Sequence, residues 1–99
     1  MLTQIVTVGL SEGVHARPAA ELVRISNLYP CRIELYTRET VVDAKSVLSI
    51  MKLAIRRGAE VTVTTDGESE AEALREITRL LAGENNRESE RMAESKSVD

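Results

Sequence analysis

Two stretches of period-two alternation do most to limit what this chain can fold into. Cys31, Ile33 and Leu35 alternate with Arg32, Glu34 and Tyr36, and Ala59, Val61 and Val63 alternate with Glu60, Thr62 and Thr64. Successive side chains of a strand point to opposite faces, so each stretch predicts a half-buried strand with a single apolar face. Leu2 to Val8 is rich in β-branched residues and alternates more loosely, and Val41-Val42 is a shorter apolar pair; they predict a first strand and a small third one. Between these strands the apolar residues change to helical spacing. Ala19, Leu22, Val23 and Ile25 predict a helix from about Ala16 to Asn27; Val47, Leu48, Ile50 and Met51, with Ile55, predict a short one from Ser46 to Leu53; Ala71, Leu74, Ile77, Leu80 and Leu81 predict a last one. The order is β-α-β-β-α-β-α. Strands with one apolar face need helices over that face, so the fold class is α+β in two layers.

The punctuation agrees with this order. Pro30 blocks extension of the first helix. Arg56-Arg57-Gly58 supplies basic residues and then a glycine, an expected end for the second helix. Asp66-Gly67 turns the chain, Ser69-Glu70-Ala71-Glu72 has the pattern of a capping box, and Gly83 closes the last helix. Thr37 to Thr40 is a polar hairpin segment without Asn-Gly or Asp-Gly, which leaves its turn type open. After Gly83 the composition shifts: Glu84 to Asp99 is charged and polar, with only Met92, Ala93 and Val98 apolar. Such a segment buries too little surface to offset its ordering entropy. The expected organisation is one domain over residues 1–83 and a mobile tail over 84–99, read as a solvated terminus ahead of a partner-binding segment.

Composition narrows the function classes. A chain of 99 residues supports one modest core, and with no Trp and no Phe that core must be aliphatic. A formal charge of −3 and a scarcity of stacking rings argue against nucleic acid as a direct partner. No apolar run approaches the roughly 20 residues of a membrane span, so membrane insertion is not expected. Met1-Leu2-Thr3-Gln4 lacks the basic, then apolar, character of a signal peptide, and a cytoplasmic location is the expectation. The lone Cys31 admits no intramolecular disulfide and suits a small core position.

Chemistry is concentrated in Gly13-Val14-His15-Ala16-Arg17-Pro18-Ala19-Ala20, which holds the single histidine. Pro18 fits the first turn of a helix, where a missing N–H removes no intrahelical bond. His15 then falls at or beside the N-cap, where free backbone N–H groups and the positive end of the helix dipole converge. Arg17 adds a permanent cation. An imidazole, amide donors and a guanidinium together suit an anion, above all phosphate. One histidine without a second His, a Cys pair or clustered carboxylates cannot fill a metal's coordination sphere. No G-x-S-x-G elbow accompanies it for a hydrolase triad. What remains is the imidazole as nucleophile, since a neutral ring offers a free nitrogen that can attack phosphorus directly.

These residues resemble the phosphorylation-site signature of HPr, the histidine-containing phosphocarrier family of the bacterial sugar phosphotransferase system. A second block, Lys45-Ser46-Val47-Leu48-Ser49-Ile50-Met51, resembles the family's regulatory-serine segment at the matching separation, and the resemblance runs from about Thr3 to about Leu81. It implies an open-faced β-sandwich: a four-stranded antiparallel sheet, first strand beside fourth and second beside third, covered on one face by three helices. It implies that the δ1 nitrogen of His15 accepts a phosphoryl group from phosphorylated enzyme I, charged by phosphoenolpyruvate, and passes it to IIA components of sugar permeases. Neither a metal nor a bound cofactor is implied. The Ala16 and Arg17 backbone N–H groups and the Arg17 side chain would offset the added charge. Ala20, Arg24, Val47, Leu48 and Met51 would form the docking surface of a monomeric carrier. From spacing alone, core packing accounts for Leu48 and Met51; the resemblance implies an exposed patch instead.

Ser46 has two readings: N-cap of the short helix, or cap and also regulatory phosphorylation site. In the second, the resemblance adds an HPr kinase/phosphorylase and a catabolite-control transcription regulator as partners. Ser49 and Ala54 depart from the family, standing where many relatives have glycine. A nitrogen-branch phosphocarrier and a corepressor-type module acting through phosphorylated Ser46 are the alternatives. The resemblance implies that modules confined to the latter role lack the histidine.

Overall fold

A computed structural model describes residues 1–83, and the expected mobile tail over 84–99 lies outside the described residues. The elements follow in the predicted order: β1 (Leu2–Thr7), α1 (Ala16–Ser26), β2 (Arg32–Thr37), β3 (Thr40–Asp43), α2 (Val47–Lys52), β4 (Glu60–Asp66) and α3 (Glu70–Ala82). The strands form one antiparallel sheet in the order β1-β4-β2-β3, which puts first beside fourth and second beside third. Register follows the apolar pattern. Val6 stands opposite Val61, and Leu35 lies between Val63 and Val42, so the apolar faces of neighbouring strands coincide.

The helices cover that face. Leu22 of α1, Ile50 of α2 and Ile77 and Leu81 of α3 are fully buried against Ile33, Leu35, Val61 and Val63 of the sheet. Each such aliphatic side chain contributes about 1.5–3 kcal/mol when removed from water. Cys31 is buried as a free thiol. The opposite face stays open: Ile5 and Tyr36, aligned through Thr62 in the register, are both exposed. No helix of the described residues is long and apolar enough to cross a membrane.

Three local expectations are corrected. Arg56-Arg57-Gly58 does not close α2, which stops at Lys52; Leu53 and Ala54 N–H groups cap the Ile50 and Met51 carbonyls, and Ala54 turns left-handed at φ 49°. Basic residues followed by glycine suit a helix end, but here they form the turn that enters β4, with Ala59 N–H bonded to Arg56 O at 3.0 Å. The Ser69–Glu72 capping box does not form. Ser69 is left-handed (φ 65°, ψ 24°) and its side chain caps nothing, whereas a capping serine is extended. Glu70 serves the turn instead, its Oε1 accepting the Gly67 N–H at 2.9 Å. Finally, Ala71 is exposed and Ala73 is buried, because α3 is rotated to bury Ala73, Ile77 and Leu80-Leu81. Leu74 is only half-buried.

Candidate functional site

The loop that delivers His15 is fixed from below by backbone contacts. Gly9 N–H bonds to Leu81 O at 2.9 Å, tying the loop's start to α3, and Leu10 and Val14 are buried as anchors. Gly13 adopts φ +71°, and a Cβ there would lie 2.4 Å from the Ile55 carbonyl oxygen. That same carbonyl accepts the Val14 N–H at 2.9 Å. The chain just after α2 thus holds the residue just before His15. Only glycine permits both the left-handed turn and this approach.

His15 is the N-cap of α1, with extended backbone (φ −91°, ψ −168°), and its carbonyl receives the Ala19 N–H at 2.9 Å. Its side chain is exposed and makes no capping hydrogen bond. Ala16 and Arg17 then occupy the first two helical positions and Pro18 the third, so the first turn has only two amide donors ahead of Ala19. Neither takes a backbone carbonyl partner among the described residues. No acidic residue lies in that turn, and Arg17 is exposed without an ion-pair partner among the described residues. The nearest carboxylate along the helix, Glu21, is engaged: Arg24 Nε donates to its Oε1 at 2.9 Å. That hydrogen bond, aided by the charge of Arg24 and opposed by slight desolvation, holds the Glu21 carboxyl below its usual range. The end of α1 at His15 is therefore electropositive and open, with a nucleophilic ring attached to it.

The other proposed residues lie on two helices that pack against each other. Ala20 and Arg24 are exposed on α1. On α2, Ile50 points inward, while Leu48 is 74% exposed, Met51 39% and Val47 38%. Core packing is therefore not the fate of Leu48 or Met51. Ser46 is the N-cap of α2: its Oγ accepts the Ser49 N–H at 3.3 Å and donates to Ser49 Oγ at 3.0 Å. What the sequence did not signal is the Ile55 carbonyl. A backbone acceptor has no residue signature, and only Gly13 hinted at a close approach.

Comparison with known proteins agrees with this geometry. Residues 2–83 match the family described as the PTS HPr component phosphorylation site. The phosphocarrier protein HPr of Lysinibacillus sphaericus is 38% identical over 81 residues, which span 82% of this chain and 92% of that protein. The HPr-like protein Crh of Bacillus subtilis is 38% identical over 84 residues, spanning 85% of this chain and 99% of that protein. The crystal structure of a phosphocarrier protein HPr from Bacillus anthracis superposes with a TM-score of 0.79 at 36% identity, covering 81% of this chain and 95% of that one. A match across the whole described fold, together with relatives of 36–38% identity that cover most of both chains, leaves one conclusion: the chain belongs to the HPr family of phosphocarriers of the phosphotransferase system.

Proposed function

We propose that this chain is a cytoplasmic, monomeric carrier that takes a phosphoryl group from phosphorylated enzyme I onto His15 and delivers it to IIA components of sugar permeases. The observation that carries the reading is an exposed, otherwise unemployed imidazole at the start of α1, beside two unpartnered amides and Arg17. In the first step a nitrogen of the neutral ring attacks phosphorus; the N–P bond forms as the donor's bond to phosphorus breaks. The product carries a charge of about −2, which the Ala16 and Arg17 N–H groups and the Arg17 guanidinium offset. In the second step an acceptor on the IIA component displaces the ring nitrogen, and His15 returns to neutral imidazole. Two amides and one solvent-exposed guanidinium make a holder of moderate strength, as release requires.

Ala20, Arg24, Val47, Leu48 and Met51 form the surface on which both partners dock. Its apolar members are aliphatic and thioether side chains, which adapt to more than one partner. Incubation with phosphoenolpyruvate and enzyme I should give an acid-labile phosphoprotein, and His15→Ala should abolish it. Failure of the unaltered chain to take up phosphate from either the sugar-branch or the nitrogen-branch enzyme I would end the proposal; faster uptake from the second would assign it to the nitrogen branch.

The likeness to Crh supports a second role at Ser46, phosphorylated by an HPr kinase/phosphorylase to create a surface for a catabolite-control transcription regulator. A phosphate on an N-cap serine is tolerated by the helix it caps. Its charge would stand beside Val47 on the docking surface and weaken transfer from enzyme I.

A further inference from the structure

A cleft beside α2 lies outside the His15 site and shares only Ser49 with the Ser46 cap described above. It has a volume of about 230 Å³ and opens between the β2–β3 hairpin and α2. Thr37, Arg38 and Thr40 line it from the hairpin, and Ser49 and Lys52 from the helix. The remaining lining, Val42 and Leu53, is apolar, and no carboxylate among the described residues lines the cleft. Arg38 and Lys52 have no ion-pair partner among the described residues. Glu39, the neighbour of Arg38 in the turn, is exposed and does not line the cleft.

Of the three lining hydroxyls, Thr37 donates to the Glu60 carbonyl at 3.2 Å and Thr40 to the Arg38 carbonyl at 3.5 Å, which leaves Ser49 as the donor to the cleft. Ser49 Oγ already accepts from Ser46 Oγ at 3.0 Å, so its own proton is available to the cleft. The hairpin bears a cost to present Arg38. Arg38 and Glu39 have φ of 50° and 64°, the left-handed pair of a two-residue hairpin turn. Asn-Gly adopts that turn far more readily.

We propose that this cleft binds a small phosphomonoester, with its phosphate between Arg38 and Lys52 and its short carbon skeleton against Val42 and Leu53. Two cations and the Ser49 hydroxyl match the charge of about −2 that a phosphomonoester carries near pH 7. The volume is sufficient for a compound of a few carbons.

The test is titration of the full chain with glycerol 3-phosphate, followed by amide NMR shifts, with glycerol and inorganic phosphate in parallel. Saturable shifts are expected in residues 37–42 and 49–53 with the ester, none with glycerol, and weaker binding of inorganic phosphate. Arg38→Asn relieves the turn, so it should fold at least as well as the parent, and it should weaken the ester's affinity about three- to tenfold, as should Lys52→Gln. The proposal is overturned by shifts confined to Ala16 and Arg17, by non-saturating shifts, by equal binding of inorganic phosphate, or by an affinity that neither substitution changes.

Discussion

Gly13→Ala and Gly58→Ala impose the same chemical change in two different surroundings. Both glycines are left-handed, at φ +71° and +87°, but an added Cβ meets Ile55 O at 2.4 Å in the first case and nothing within 4 Å in the second. Left-handed backbone costs an alanine about 1–2 kcal/mol, and loss of glycine's freedom in the unfolded chain returns about 0.4–1 kcal/mol. Gly58→Ala should therefore destabilise by about 0.5–1 kcal/mol. At Gly13 the Ile55 carbonyl must also move, and it is the partner of the buried Val14 N–H. Stranding that donor adds about 1–3 kcal/mol, for a total of about 1.5–4 kcal/mol. Urea unfolding with an unchanged slope measures both. Phosphorylation of His15 by enzyme I should slow in Gly13→Ala alone, since that loop sets the helix start. Equal destabilisation by the two substitutions would refute the claim that the Ile55 carbonyl rigidly positions the site.

Ser46→Ala removes the acceptor of the Ser49 N–H and should cost about 1 kcal/mol, seen as a fall in melting temperature of about 4–8 °C. His15→Ala, by contrast, breaks no capping bond and should alter stability by no more than about 0.5 kcal/mol in the same assay. The Glu70 carboxyl is held below its ordinary value of 4.5, first by the Gly67 N–H and then by the chain's amino terminus. Its folded-state pKa is depressed, so its contribution is complete above about pH 4.5 and is lost as pH falls through the lowered value. Glu70→Gln should accordingly flatten the stability profile below that pH, and an unchanged acid slope would count against the pairing.

The fold was legible wherever burial has a period. Cys31 to Tyr36 and Ala59 to Thr64 alternate because one face meets helices and the other meets water, and β2 and β4 lie where that alternation falls. The errors sit where backbone conformation, rather than burial, decides. Ser69 had the right neighbours for a capping box, yet a left-handed backbone directs its side chain away from the helix amides. Ala54 ends α2 in a conformation that alanine disfavours, so nothing in its chemistry announced a stop. The Arg38-Glu39 turn is hidden for the same reason. At the site, His15, Arg17 and Pro18 were readable because helix starts have rules for side chains. Leu48 was ambiguous because helical spacing says which residues share a face, not whether that face is covered.

The imidazole at the start of α1 supports nothing: it is uncovered and bonded to no part of the helix it begins. A phosphoryl group attached to it, however, meets the converging Ala16 and Arg17 amides of the helix start only in the native chain. A group held in the native state and not in the denatured one moves the balance toward the native state. Laden molecules should thus resist proteolysis somewhat longer than empty ones, which ties the lifetime of this protein to how much of it is charged at any moment.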